Sequence, residues 1–134
     1  MHNQIALITI LTDDVPRLAA FYRSVLGFAV KQDLGPFVEF HGAGVRLAVC
    51  ARSILRDASG HSSYAEAHQG QCFELAFPCE TPTEVDRAYA EIVAKGATSI
   101  HAPADMPWGQ RTAMFADPDG NIHELFADLP KNDQ

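Results

Sequence analysis

The chain has 134 residues, of which 47% are hydrophobic and 20% are charged, a composition typical of one globular domain with a hydrophobic core. Its formal net charge of -7 argues against nucleic acid and anionic membranes as partners, since both attract clustered Lys and Arg. No apolar run approaches the roughly 20 residues that cross a bilayer, and the first residues lack the basic region and cleavage site of a signal peptide. The three cysteines, an odd number without C-x-x-C spacing, predict reduced thiols in a cytoplasmic protein.

The first half of the chain predicts a strand, a helix and three further strands. Residues 4–11 form a short apolar run that suits a buried strand. Residues 12–27 place apolar side chains at helical spacing, with aspartates at the start, Pro16 in the first turn and Gly27 at the end. Three candidate strands follow, separated by glycine-containing turns, at 28–33, 36–41 and 45–51.

The second half repeats this order. A strand is predicted at 72–79, and a helix at 81–96 begins with a capping box formed by Thr81 and Glu84. Three more strands, the last two joined by a D-P-D-G turn, are predicted at 97–102, 111–116 and 121–127. We therefore predict one domain over residues 1–130. It consists of a first unit (4–51), a polar connecting loop (52–70) and a second unit (71–128), and a tail (129–134) follows.

Two stretches of this repeat carry a family resemblance. "LAAFYRSVLGF" in the first half and "PWGQRTAMFADPDGNIHEL" in the second resemble the vicinal oxygen chelate superfamily, which includes glyoxalase I, bleomycin-resistance proteins, fosfomycin-resistance proteins and extradiol dioxygenases. The resemblance spans residues 4–128 and implies an α+β fold. In that fold, two βαβββ units form a curved, partly open mixed sheet around a ligand pocket, usually in a homodimer. The resemblance also implies that a divalent metal binds in this pocket, the cup formed by the curved sheet.

Two carboxylates match the metal-ligand positions that the resemblance implies. Glu124 corresponds to the glutamate on the last strand of the second unit, and Glu74 lies on the first strand of that unit. In the first unit the corresponding position falls on Ile5 or Leu7, and Thr9 is the one polar residue on that face of the strand. Because catalytic metal sites mostly use three or more protein ligands, we predict no metal and no other cofactor; a divalent metal, if bound, would be held by Glu124 and Glu74.

Without a metal, Glu74 and Glu124 are candidates for a carboxylate pair that moves a proton or binds a cationic group. The sequence leaves open that each is half exposed, or is paired with Arg111 or Arg46. Trp108, in the Pro- and Gly-rich segment 102–111, could stack on a flat ligand, or else form a hydrophobic plug or a dimer contact. The predicted ligand-binding set is completed by Thr9, Met114 and Arg111. By alternation, His123 should point away from Glu124, whereas His101 is interpreted as a residue at a strand end.

The sequence is compatible with two functions, which belong to different classes of protein. The first is a small-molecule-binding protein, similar to the bleomycin-resistance branch, that holds an aromatic or cationic ligand in the cup without metal. The alternative is a divalent-metal-dependent lyase, isomerase or dioxygenase of the glyoxalase type, with Glu124 as metal ligand and Glu74 as ligand or proton carrier. The missing first-strand ligand favours the first, and whether the protein is an enzyme stays open. Expected partners are the small molecule and a second copy of the chain.

Overall fold

The computed structural model describes residues 1–131 and separates two compact units, residues 1–70 and a second that begins at Gln71. Each unit has a four-stranded mixed sheet with a helix packed on one face, so the predicted α+β class is confirmed. The last three residues of the predicted tail, 132–134, lie outside the described residues. None of the helices within residues 1–131 is long and apolar enough to cross a membrane.

Unit 1 contains the predicted helix and four strands, and one additional helix. Its elements are β1 (Leu7–Thr12), α1 (Val15–Ser24), β2 (Val30–Asp33), β3 (Phe37–Phe40), β4 (Arg46–Ala51) and α2 (Arg52–Ser59). The strands lie in the order β1-β4-β3-β2. The β1–β4 pair is parallel and the other pairs are antiparallel.

Helix α1 covers one face of this sheet. Its backbone starts at Asp14, whose side chain accepts a hydrogen bond from the Arg17 amide at 3.1 Å, and its apolar side buries Leu18 and Tyr22 completely. The Tyr22 ring packs 6.2 Å from the ring of Phe40 on β3. Because side chains alternate along strands, the opposite, helix-free face of unit 1 carries the other set of residues. That face comprises Leu7, Thr9, Leu11, Phe37, Glu39, Arg46, Ala48 and Cys50.

Unit 2 repeats the arrangement with one helix. Its elements are β5 (Ala76–Pro78), α3 (Pro82–Ala94), β6 (Thr98–Met106), β7 (Gln110–Ala116) and β8 (Ile122–Asp128), with the strands in the order β5-β8-β7-β6. Thr81 caps α3 as predicted, because its hydroxyl accepts a hydrogen bond from the Glu84 amide at 3.2 Å. The helix buries Val85 and Ile92 against the sheet.

Three predicted boundaries are corrected by the structure. The connection at 52–70 is not a continuous loop, since it contains α2 and a short 3-10 turn at Ser62–Tyr64. Helix α2 has no side-chain cap at its start and none of its residues is buried, so no capping signal marked it in the sequence. The strand predicted at 97–102 ends later than expected and the next begins one residue earlier, so β6 and β7 extend through most of segment 102–111. The strand predicted at 72–79 is reduced to the three residues of β5.

Candidate functional site

Glu124 lies in the middle of β8 on the face of unit 2 that α3 does not cover. Along β8, His123, Leu125 and Ala127 are buried, while Ile122, Glu124 and Phe126 alternate with them and are half-buried. The helix-free face of unit 2 therefore comprises Gln110, Thr112, Met114, Ala116, Ile122, Glu124 and Phe126. This confirms the predicted alternation, which separated Glu124 from its neighbour His123.

The strand register places Glu124 in a row that crosses all four strands. Ala76 on β5 and Met114 on β7 are its direct partners, and His101 on β6 is the partner of Met114. Residues directly opposite one another share a face, so Glu124 has an apolar neighbour on each side. His101 lies two strands away, about 10 Å at the usual strand spacing. The sequence did not group His101 with Glu124, because register shifts on both sides of it alter the alternation.

Residues 71–75 run beside β8 and bring Glu74 close to Glu124. The Glu124 amide donates to the Leu75 carbonyl at 3.0 Å, and the Leu75 amide donates to His123 Nδ1 at 3.2 Å. The Gln71 side chain adds two further hydrogen bonds, with the carbonyl and the amide of Ile122. The pKa of Glu124 is raised, first by burial and then by the nearby negative charge of Glu74. Glu74 is therefore close enough to Glu124 for the two charges to interact.

Neither arginine that was considered as a partner neutralises this pair. Arg111 lies on the helix side of β7, where it binds Asp86 on α3 at 2.7 Å and Asp105 on β6 at 2.9 Å. These two hydrogen bonds raise the Arg111 pKa. Arg46 is bridged to another carboxylate in unit 1. Arg111 therefore lies on the opposite face of the sheet from Glu124 and Met114. Strict alternation of side chains along β7 would have predicted this.

Trp108 occupies the turn between β6 and β7 and is 62% exposed. Its indole nitrogen donates to the Gln110 side-chain oxygen at 3.1 Å. Gln110 pairs with Asp128, four residues along β8 from Glu124, which corresponds to about 13 Å of strand. Of the predicted ligand-binding residues, Met114 is therefore brought next to Glu124, but Trp108 is not.

The helix-free face of unit 1 carries Thr9 and a carboxylate that the sequence analysis did not single out. Thr9 is in register with Ala48, which in turn pairs with Glu39 on β3. Glu39 is buried, between Val38 and Phe40 in sequence, and Lys31 and Arg46 form salt bridges with it. A charged residue flanked by buried apolar residues in a strand was the signal that could have identified it.

A divalent metal ion needs several donor side chains that converge on one point. Within residues 1–131, no three side chains of the His, Cys, Asp or Glu type converge in a manner that could hold an ion. Glu74 and Glu124 supply two carboxylates, whereas resident divalent metals mostly have three or more protein ligands. The residues described in each unit therefore do not fit a resident metal.

The fold agrees with comparisons to known proteins. Residues 4–125 match the Glyoxalase/Bleomycin resistance protein/Dioxygenase superfamily. The chain belongs to this superfamily. A glyoxalase/bleomycin resistance protein/dioxygenase from Nocardioides superposes with a TM-score of 0.87 at 31% identity, covering 100% of this chain and 90% of that one.

Two further proteins are similar to this chain, one in sequence and one in fold. YraH of Bacillus subtilis (strain 168), an uncharacterized protein, is 25% identical over 123 residues, which is 89% of this chain and 94% of YraH. A lactoylglutathione lyase from Agrobacterium tumefaciens shares the fold, with a TM-score of 0.69 at 22% identity over 93% of each chain. At that identity the likeness concerns the fold alone.

The raised pKa of Glu124 predicts that the variant Glu124→Gln is more stable than the wild type at neutral pH but not at acidic pH. Because the folded-state pKa exceeds the unfolded value, the stabilising contribution of the protonated group is complete below the unfolded pKa and is lost as pH rises through the folded pKa. At pH 7 the variant should therefore be more stable than the wild type, by up to about 1 kcal/mol after allowance for solvent screening. Urea unfolding at pH 7 and pH 4 measures this difference, which should disappear at the lower pH.

A matched control for this prediction is Glu91→Gln, on the exposed side of α3. That variant should leave stability unchanged at both pH values. A Glu124→Gln protein that is less stable than the wild type at pH 7 would contradict the assignment of Glu124 as a destabilising, desolvated carboxylate.

Proposed function

We propose that this superfamily member binds a small molecule bearing a cationic group on the helix-free face of unit 2, through Glu124 and Glu74 and without a resident metal. The main support for this proposal is the environment of Glu124. Glu124 is half-buried between Ala76 and Met114, and no salt bridge within residues 1–131 compensates its charge. Desolvating an unpaired carboxylate costs free energy, and residues that reduce stability in this way are concentrated at functional sites.

The surroundings of Glu124 define the class of ligand. Two neighbouring carboxylates attract a protonated amine or amidine. Burial is the main cause of the raised Glu124 pKa and repulsion from Glu74 is the second, and such a cation would relieve that repulsion. Met114, Ile122 and Phe126 provide half-exposed apolar surface on the same face, which suits a flat or aromatic body attached to that cation. The proposed ligand is therefore an aromatic or otherwise apolar cation.

Benzylammonium, a protonated alkylamine that carries an aromatic ring, provides the test. It is titrated into the isotopically labelled wild type, Glu124→Gln and the control Glu91→Gln. Binding is followed from the amide chemical shifts of residues in β7 and β8. We expect binding to Glu124→Gln to be at least about tenfold weaker, because a charge-assisted hydrogen bond is lost, and binding to the control to be unchanged. Equal affinities for all three proteins would refute the proposed site.

A second candidate function is a divalent-metal-dependent lyase, isomerase or dioxygenase of the glyoxalase type. It is favoured by the position of Glu124 on the last strand with Glu74 beside it, the arrangement expected from the family resemblance. In that case both carboxylates would be metal ligands, although two donors alone do not fit a resident ion. The content of bound metal separates the two candidates.

The proposal also assigns the protein to the cytoplasm as a homodimer. Free thiols at Cys50, Cys72 and Cys79 support a reducing compartment, and the family resemblance supports the dimer. Light scattering coupled to size-exclusion chromatography tests the assembly. A monomer at micromolar concentration would remove the dimer from the proposal and leave the ligand site in place.

A further inference from the structure

A cluster of three charged side chains crosses the helix-free face of unit 1. One oxygen of Glu39, on β3, lies 3.3 Å from the Lys31 ammonium and 3.3 Å from Arg46 Nη1. The two nitrogens are therefore no more than twice 3.3 Å, or 6.6 Å, apart. They come from β2 and β4, the strands on either side of β3, so two cations converge above the central carboxylate.

A bulge in β2 directs Lys31 towards this cluster. The β2–β3 pairing passes from Val30 to Gln32 with a register shift, so Lys31 is the additional residue, and Gln32 pairs directly with Glu39. Bulges change the direction of a side chain and are frequent next to functional sites. Without a bulge, the side chains of the consecutive residues Lys31 and Gln32 would lie on opposite faces of the sheet. Here Gln32 pairs with Glu39, and the Lys31 side chain also reaches Glu39.

The accessible part of the cluster is positive. The side chains of Lys31 and Arg46 are 44% and 39% exposed, whereas that of Glu39 is 10% exposed and lies beneath them. One negative charge offsets only one of the two positive charges. A solute approaching this face therefore meets two cations first, in a chain whose formal net charge is -7.

The internal repeat relates Arg46 to Glu124. Gly27 follows α1 and Gly96 follows α3 at the same point of the repeat. Leu7 and Ala76 are separated by the same number of residues as these two glycines, so they are equivalent positions. Leu7 pairs with Arg46 in unit 1, and Ala76 pairs with Glu124 in unit 2. The two units thus carry opposite charges at one position of the repeat.

We propose that Arg46 and Lys31 form a binding site for the carboxylate or phosphate group of a small molecule on the helix-free face of unit 1. Carboxylate oxygens accept charge-assisted hydrogen bonds at about 2.8 Å, so one such group reaches two donors about 7 Å apart. Thr9 and Gln32, in the row of Glu39, add polar groups, and Leu7 and Phe37 add apolar surface. This site goes beyond the proposed function, because it is in the other unit and selects the opposite charge.

Three matched probes test the site: benzoate, phenyl phosphate and the neutral benzamide. In amide-detected titrations of the full chain, at least one anion should shift Lys31, Gln32 and Arg46 saturably, and benzamide should not. The anion that binds more tightly identifies the chemistry of the natural ligand. Arg46→Gln and Lys31→Gln should each weaken binding by at least about fivefold, and Arg23→Gln, an exposed charge on α1, should not.

Lys31→Gln keeps the Arg46–Glu39 bridge, so this variant tests the site even if Arg46→Gln fails to fold. Anion binding should also persist in Glu124→Gln, which separates failure of this site from failure of the cation site in unit 2. The inference is overturned if benzamide binds as tightly as the anions, if Lys31→Gln binds them as tightly as the wild type, or if neither anion produces a saturable shift by about 50 mM.

Discussion

Replacing Asp117 with alanine is expected to lower the free energy of unfolding by about 3–5 kcal/mol. Asp117 opens the turn between β7 and β8 and is only 2% exposed. Its Oδ1 accepts hydrogen bonds from the amides of Asp119 and Asn121 at 3.0 Å each, and its Oδ2 accepts one from the Asn121 side chain at 2.8 Å. The alanine variant leaves these three donors without their acceptor at the start of the strand that carries Glu124.

Chemical denaturation of the variant beside Asp119→Ala measures this effect. Asp119 is in the same turn but its side chain is exposed, so its replacement should change stability by no more than about 0.5 kcal/mol. Similar losses in the two variants would mean that the buried carboxylate of Asp117 does not organise the turn.

Replacing His123 with leucine is expected to cost about 2–3 kcal/mol, the second-largest effect that we predict. The ring is 1% exposed and packs 5.9 Å from the ring of Phe115. Its pKa is lowered by burial, which outweighs the opposite effect of the Asp117 charge. A neutral imidazole fits the role of Nδ1 as acceptor of the Leu75 amide at 3.2 Å, and leucine leaves that amide unpaired.

The variant His123→Asn distinguishes loss of this hydrogen bond from loss of packing. The side-chain oxygen of asparagine can accept the Leu75 amide, whereas leucine cannot. Hydrogen exchange of residues 71–75 should therefore be fastest in His123→Leu and closer to wild type in His123→Asn. Equal exchange rates in the three proteins would contradict the view that His123 holds the segment carrying Glu74 beside β8.

Much of the fold could be predicted because local signals and the long-range arrangement agree. Pro16 and Gly27 delimit the first helix, and Thr81 with Glu84 marks the start of the last. The repeat of these signals predicts two equivalent units, and alternation along β8 is sufficient to place Glu124 and His123 on opposite faces. Each of these inferences depends on residues that are close together in sequence.

The composition of the sites could not be predicted to the same extent, because it depends on which residues of different strands face one another. The bulge at Lys31 and the register shifts around His101 change the direction of side chains without a local sequence signal. The distance of Trp108 from Glu124 depends on how far the β6–β7 hairpin extends. Grouping residues by type alone therefore assembled Trp108 and Arg111 with Glu124 and omitted Glu39.

We propose that Glu124 lines a ligand site that holds no resident metal. Elemental analysis of tag-free protein, purified without chelator and compared with Glu124→Ala, tests it most directly. We expect far less than one equivalent of any divalent metal in both proteins, and no thermal shift of the wild type with Mg²⁺, Mn²⁺, Fe²⁺, Ni²⁺ or Zn²⁺. Close to one equivalent in the wild type, lost in Glu124→Ala, would contradict the claim and identify a metal-dependent enzyme.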